Sequence, residues 1–264
     1  MNKIFSIVIP ARNEEKHLPT CFSSIVQSMA YLCLNDRNIH EYCLQNSVCP
    51  KDLAEIIVVV NRCEDRTEEV ARDFGATIVY SNEKNLSKIR NAGIFAATSS
   101  YVITIDADSR MSKNMLLKVK QALDNPKIVG GGVMIYPERY SLGIIMTGIT
   151  LLPLALLWRI TCGLFYFRKE DGVAINGFNE ELVSVEDVDF ARRLKALGEK
   201  GVMMNGSLVK RSYKNLFFAY IVTSCRKFDK FGDWFFIKNI RESYRLFFGK
   251  DQELANKIWY DFKN

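Results

Sequence analysis

Between Lys3 and Asp124 four short, β-rich apolar runs alternate with four segments of helical periodicity. That alternation restricts the fold more than any other feature. The runs are KIFSIVIPA (3–11), AEIIVVVN (54–61), ATIVYS (76–81) and YVITID (101–106). AEIIVVVN is a continuous apolar strand, as expected in a parallel sheet covered on both faces. After the first run, Leu18, Phe22, Ile25, Val26 and Met29 recur at helical spacing within 14–32. DRTEEVARDFG (65–75) reads as a helix with an Asp cap and a terminal Gly. NLSKIRNAGIFAAT (85–98) and SKNMLLKVKQALD (112–124, beginning at Ser112) read as two more. Residues 33–51, with Asn, Cys and Pro50, read as a loop or an extension of the first helix. Strands alternating with helices predict an α/β fold with a mainly parallel sheet and helices on both faces. Ligands of such sheets gather outside the carboxyl ends of the strands, near a switch in strand order.

Three of those strand ends are polar: Ala11-Arg12-Asn13-Glu14, Asn61-Arg62-Cys63-Glu64-Asp65, and Asp106-Ala107-Asp108. The last is the most chemical. Two carboxylates at i and i+2 point to one side of an extended chain. Buried without a partner they would be costly, so they face water or a cation. Hard oxygen ligands of this kind suit Mg2+ or Mn2+, which keep positions open for water and phosphate. The structural alternative is that Asp108 and Ser109 shape the turn before the next helix.

The ordered set SIVIPARNEE, VVVNRCEDRTEEVA, KNLSKIRNAG, ITIDADS and GFNEELVSVEDVDFARRL, over residues 4–200, resembles the family 2 glycosyltransferases. The resemblance implies the GT-A fold, a Rossmann-like sheet, and inverting transfer from a nucleotide-diphosphate sugar such as a UDP- or GDP-sugar. It implies that Asp106 and Asp108 bind Mn2+ or Mg2+ on that donor, with Ala107 between them in the donor site. The loop after the first strand then holds base and ribose through Pro10, Ala11, Arg12 and Glu14. Arg90 and Asn91 lie near the nucleotide, and Lys84 reaches it too. Many relatives place an Asp directly after the second strand. Here Val60 is followed by Asn61, whose amide both donates and accepts and could take that role.

SVEDVDFARRLKALG (184–198) is a second acidic site. Ser184 followed by Asp187 resembles a capping box, and acidic residues are favourable in a helix's first turn. By the resemblance, Asp187 is the general base that takes the acceptor's proton and Glu186 orients its neighbours or touches the acceptor. Upstream, Asn176-Gly177-Phe178 stands where the family commonly has Gly-Gly-Phe. Gly130-Gly131-Gly132 is followed by no Lys-Ser/Thr, so it is no phosphate loop; it reads as a flexible lead into the strand VMIY.

Residues 1–209 hold 24 basic and 24 acidic side chains, whereas 210–264 hold 12 and 6. The whole net charge of +6 and 15 of the 31 aromatic residues therefore lie in the tail. This divides the chain into a glycosyltransferase domain at 1–209 and a mainly helical extension at 210–264. Basic and aromatic side chains suit an anionic membrane interface or a lipid-linked acceptor. They could equally pack on the catalytic domain or on a second subunit, giving a homodimer. No nucleic-acid motif is present. YSLGIIMTGITLLPLALLW (140–158) holds 19 uncharged residues, near the ~20 needed to span a bilayer. A crossing there would put Asp106 and Asp187 on opposite sides of the membrane. Two readings of 140–167 remain: a buried or dimer-forming helix pair, or helices resting on the membrane surface. The N-terminus reads as a first strand, not a signal peptide. The seven irregularly placed cysteines match no zinc pattern and read as free thiols. Both features point to the cytoplasm, with any membrane contact peripheral and on the inner face. The acceptor class, a glycan or a lipid-linked sugar, is left open. Two other readings are a sugar-phosphate nucleotidyltransferase, for which PARNEE lacks a Gly-rich basic loop, and a degenerate nucleotide-sugar-binding module.

Overall fold

The computed structural model describes residues 3–161, 163–182, 184–204 and 207–239. The four expected strands form β1 (Phe5–Ala11), β2 (Ala54–Asn61), β3 (Thr77–Ser81) and β4 (Tyr101–Thr104). Between them lie α1 (Leu18–Asn35), α2 (Arg37–Asn46), α3 (Thr67–Asp73) and α4 (Leu86–Ala96). Residues 33–51 are more ordered than expected. Asp36 caps α2 by accepting from the Ile39 amide at 3.1 Å, and Ser47 ends it in a left-handed conformation. Asp65 starts α3 by accepting from the Thr67 amide at 3.0 Å. YVITID leaves the strand at Thr104, two residues early. The chain then makes a turn, a short strand β5 (Ser109–Met111) and α5 (Met115–Leu123), which begins three residues after Ser112. Next come β6 (Ile128–Pro137), α6 (Leu142–Trp158), β7 (Phe165–Arg168), α7 (Lys169–Ala174) and α8 (Glu186–Lys200). A hairpin of β8 (Val202–Met204) and β9 (Ser207–Val209) precedes β10 (Ser212–Tyr213) and β11 (Leu216–Thr223). The short helices α9 (Arg226–Phe231) and α10 (Phe235–Lys238) follow.

The main sheet runs β3-β2-β1-β4-β7-β6-β11-β5, with β10 also on β6. β1 pairs in parallel with β2 on one side and β4 on the other, Ile7 standing opposite both Ile56 and Ile103. That is the switch in strand order, so the crevice opens beyond the carboxyl ends of β1 and β4. Strand alternation divides the core. Phe5, Ile7, Ile9, Ile56, Val58 and Ile103 face α1 and α5, packing with Phe22, Met29 and Leu116. Val8, Ile57, Val59 and Val102 face α4 and α8, packing with Ile89, Ile94, Phe190 and Leu194. Buried Glu55 ties β2 to β1 and to the turn before β4. Its carboxylate accepts from Ser6, from both donors of Thr98 and from the Ser99 amide.

Three expectations need correction. Gly130-Gly131-Gly132 is no flexible lead but the middle of β6. A methyl on Gly131 would lie 1.8 Å from the Lys214 carbonyl oxygen, so the glycine is there to let two backbones touch. The tail is not mainly helical over its described part: β10 and β11 join the main sheet, and β11 lies between β6 and β5. The composition shift at Val209 therefore does not mark an edge of the sheet, and 240–264 lie outside the described residues. Among the described residues of 140–167 there is one helix, α6, followed by strand β7, not a helix pair.

Candidate active site

The floor of the crevice is made by the loops after β1 and β2, which are bonded to each other. The Glu14 amide donates to Thr67 Oγ1 at 2.7 Å, and the Glu15 amide to Asp65 at 3.1 Å. The Glu64 amide donates to Asn13 Oδ1 at 2.8 Å, with Asn13 in a left-handed conformation. Ala11 is buried, while Pro10 and Arg12 are half-buried. Asn61 is buried, and its amide donates to the carbonyls of Ser81 and Glu83 at 2.7 and 2.9 Å. It fixes the wall beyond β3. Lys84, on that wall, is exposed.

The Asp-Ala-Asp triplet follows β4. Buried Ala107 packs into the core and sets its two neighbours apart. Asp106 accepts from Arg90 of α4 at 2.9 Å, and Asp108 pairs with Arg226 of α9 at 3.1 Å. Arg226 also grips Glu14 with both terminal nitrogens, at 3.1 and 2.7 Å. Glu14 is thus a partner of the C-terminal segment, 212 residues away in sequence. Arg226 and its neighbour Lys227 had not been expected in the site. The signal that could have found them is the polar SCRK directly after the strand run LFFAYIVT.

Arg90 carries the second connection. Its other terminal nitrogen donates to Glu186 at 3.0 Å, and its guanidinium lies 5.2 Å above the Phe178 ring. One side chain therefore joins the Asp-Ala-Asp turn to the Glu186-Asp187 pair. Asn91, the next residue, does not face the crevice. It is buried and exchanges bonds with the Phe178 backbone, accepting at 2.7 Å and donating at 2.9 Å, and it also donates to Glu180. Gly177 makes this approach possible: its φ is +62°, and an added methyl would fall 2.2 Å from Asn91 Oδ1. Asn91 thus shapes the loop that presents the second acidic pair. That pair opens α8, but not through a capping box. Val185 precedes the helix in a left-handed conformation (φ 54°), and no side chain caps it. Such backbone geometry is rare for a β-branched residue and tends to collect at functional sites. Asp187 accepts from the Val188 amide at 2.7 Å instead.

The charges perturb one another. Burial raises Glu14 to about 7, against the pull of Arg226. Burial and repulsion from Asp187 raise Glu186 to about 7, with Arg90 opposing. Asp187 is raised by burial in the same way, and so is Asp108, which Arg226 only partly restores. In Asp106 desolvation is outweighed by Arg90, so its carboxyl stays below the ordinary value. Burial brings Lys227 down to about 8, although Asp108 and Asp106 favour its charge. This is a largely desolvated cleft with five carboxylates and three cations. Asp106 and Asp108 offer only hard oxygen donors at one turn, a donor set that fits Mg2+ or Mn2+ sharing its shell with water and phosphate. Among the described residues no third His, Cys, Asp or Glu joins them in a cluster.

Residues 6–159 match the sequence model of Glycosyl transferase family 2. The uncharacterized glycosyltransferase EpsJ of Bacillus subtilis is 26% identical over 139 residues, 50% of this chain and 34% of that protein. The chain spans about a third of the length of the curated relatives it matches. The fold is similar to that of S. aureus TarS 1–349, with TM-score 0.58 and 18% identity over 96% of this chain and 68% of the other. It is also similar to the mannosyltransferase PcManGT from Pyrobaculum calidifontis, with TM-score 0.59 and 16% identity over 91% and 65%. With the motif match over more than half its length, and the shared GT-A fold around a carboxylate-lined switch point, the chain belongs to glycosyl transferase family 2.

Proposed function

We propose that the chain is an inverting glycosyltransferase that moves a sugar from a nucleotide-diphosphate donor to an acceptor hydroxyl. The observation that carries this reading is Arg90, which holds Asp106 on one hand and Glu186 on the other. Leaving-group and acceptor carboxylates thereby share one cleft. In support, TarS has been solved with UDP-GlcNAc, and PcManGT with GDP-Man and Mn2+. Asp106 and Asp108 would hold Mn2+ or Mg2+, which supplies charge neutralisation for the leaving diphosphate. Arg226 and Lys227, brought in by the segment after 209, add positive charge beside it. Pro10, Ala11 and Arg12 line the nucleotide end, while Glu14, Asn61 and Asn91 position loops.

On the acceptor side Asp187 takes the hydroxyl proton while the oxygen attacks the anomeric carbon. The bond to the diphosphate oxygen breaks on the opposite face, and its electron pair leaves with the diphosphate. Burial makes Asp187 more basic than an ordinary carboxylate, which suits a general base near neutral pH. Glu186, anchored by Arg90, keeps the pair in place. The acceptor is a glycan or lipid-linked hydroxyl compound in the cytoplasm, a placement supported by the free thiols of Cys21, Cys33, Cys43, Cys49, Cys63 and Cys225. Calorimetry with UDP, GDP, CDP and dTDP, with Mn2+ and with chelator, tests the donor half. Asp187→Asn tests the base: donor binding should persist while turnover falls on the order of 10²-fold or more. Undiminished turnover in that variant would remove Asp187 from the mechanism.

A further inference from the structure

A groove of about 400 Å³ lies between α1 on one side and β5 and β11 on the other, and none of the charged side chains of the cleft lines it. Its volume falls in the range of small-molecule sites. Thr20, Ser23 and Gln27 form the helical wall; they recur at i, i+3 and i+7, share one face of α1 and are all exposed. On the other wall Arg110 stands opposite Val222 across the strands. Ser112 meets Tyr220, donating its amide to the Tyr220 carbonyl at 2.9 Å and accepting the Tyr220 amide on its hydroxyl at 3.2 Å. Buried Ser24 fastens helix to strand: its hydroxyl oxygen accepts from the Met111 amide at 3.1 Å and donates to the Cys21 carbonyl at 2.7 Å. The Tyr220 ring is set nearly perpendicular to that of Tyr136, with centroids 5.2 Å apart. The walls are thus fixed by bonds internal to the fold.

The groups that line this groove have capacity to spare. Arg110 is exposed, and no carboxylate among the described residues pairs with its guanidinium. The Gln27 amide nitrogen donates to Ser23 at 3.3 Å, but its carbonyl has no partner among the described residues. The same holds for the hydroxyls of Thr20 and Tyr220. Each alone would be ordinary surface; their convergence on one concavity is not. Hydroxyl and amide groups both donate and accept, as the hydroxyls of a sugar do. The Tyr220 ring adds an apolar body with a polar tip. A guanidinium offers a planar fork that takes a carboxylate or a phosphate with two bonds. A bare inorganic anion would use the fork and leave the rest idle. An apolar ligand would cover these polar groups without satisfying them, which is costly.

The geometry points to a saccharide subsite between α1 and the β5–β11 pair, taking a sugar whose single carboxylate or phosphate sits on Arg110. Its strands run on into the cleft: β5 begins at Ser109, next to Asp108, and β11 ends at Thr223, shortly before Arg226. The inference does not rest on the transfer reading, because binding in the groove needs neither donor nor metal.

Saturation-transfer difference NMR on the full chain, with chelator present, tests it. The probes are glucuronate and glucose 6-phosphate, compared with glucose, and with inorganic phosphate as competitor. At least one of the two anionic sugars should bind more tightly than glucose, and phosphate should displace it only weakly. Arg110→Gln should raise the dissociation constant about tenfold or more, as expected for the loss of a charge-assisted pair. Tyr220→Ala should also weaken binding. Arg110 is exposed and unpaired, so Arg110→Gln should leave the thermal melt unchanged and decides even where Tyr220→Ala does not fold. Binding of neither anionic sugar, equal binding of glucose, or binding that Arg110→Gln leaves intact would overturn the proposal. So would displacement by phosphate at the sugar's own concentration, which would mark a simple anion site.

Discussion

Replacing Arg90 by Met removes a side chain that joins the two acidic halves of the cleft while keeping most of its aliphatic stem. Two charge-assisted hydrogen bonds disappear, and they are not equal. The bond to Glu186 joins side chains that are 11% and 12% exposed, whereas Asp106 is 49% exposed. Asp106 can be rehydrated and adds ~1 kcal/mol or less. Glu186 is left as a buried carboxylate beside Asp187, a situation costing about 3–5 kcal/mol when the group stays ionised. A loss of about 3 kcal/mol at pH 8.5 follows, or on the order of 6–12 °C in melting temperature for a domain of this size. The pH dependence is the sharper test. Arg90 lowers the Glu186 carboxyl, which burial and Asp187 raise to about 7. The stabilisation by Arg90 is thus largely lost once pH falls below that value, and it grows as pH rises toward the still higher value that Glu186 takes without Arg90. Urea melts of both proteins at pH 8.5, 7 and 5.5 should show the difference shrinking to roughly 1 kcal/mol, the part owed to Asp106. A difference independent of pH, or none at pH 8.5, would refute the bridge as described.

Asp108→Ala deletes one of the two proposed metal ligands and one partner of Arg226; calorimetry should show Mn2+-dependent UDP or GDP binding weakened at least about tenfold, which is ~1.4 kcal/mol. Gly131→Ala forces a methyl against the Lys214 carbonyl oxygen, a backbone atom with nowhere to go. Thermal melts should show a loss of about 1–3 kcal/mol or more. Burial raises the Glu55 carboxyl, but the hydrogen bonds from Ser6, Thr98 and Ser99 together bring it below its ordinary value. Its stabilisation is therefore present at neutral pH and lost as pH falls through the folded value. Glu55→Gln should be less stable than wild type at pH 7 and approach it in acid, below the ordinary carboxylate range, as read by denaturant melts.

The front half of the fold was legible because each strand there is its own signal. AEIIVVVN can only be a strand with both faces covered, and all eight of its residues are buried. Its partners follow from the alternation with α3 and α4, since parallel neighbours need a crossover. The back half gives no such signal. β10 has two residues, and β11 mixes buried Leu216, Ala219 and Ile221 with exposed Phe217 and Phe218 across a register shift. A strand with that pattern looks like aromatic surface until its neighbours are known. Gly130-Gly131-Gly132 misled for the same reason. Three glycines usually loosen a chain, and only the backbone of Lys214 pressed against Gly131 shows that here they permit close packing.

The site divides along a similar line. Asp106, Asp108, Glu186 and Asp187 could be named from short motifs, because each lies at the end or start of a regular element. What each carboxylate is bonded to could not. Glu14 and Arg226 meet across 212 positions, and Arg90 and Glu186 across 96. No local spacing reports such pairs. The consequence is more than a list of contacts. A cleft assembled only from the first 209 residues would hold Glu14, Asp106, Asp108, Glu186 and Asp187 with Arg90 as their main counter-charge. Arg226 and Lys227 restore the balance, and they arrive on the first turn of α9. The electrostatics of the cleft therefore depend on a segment that lies beyond the composition shift at Val209. Displacing α9 should be felt at Asp108, because Arg226, the first residue of that helix, pairs with this carboxylate at 3.1 Å.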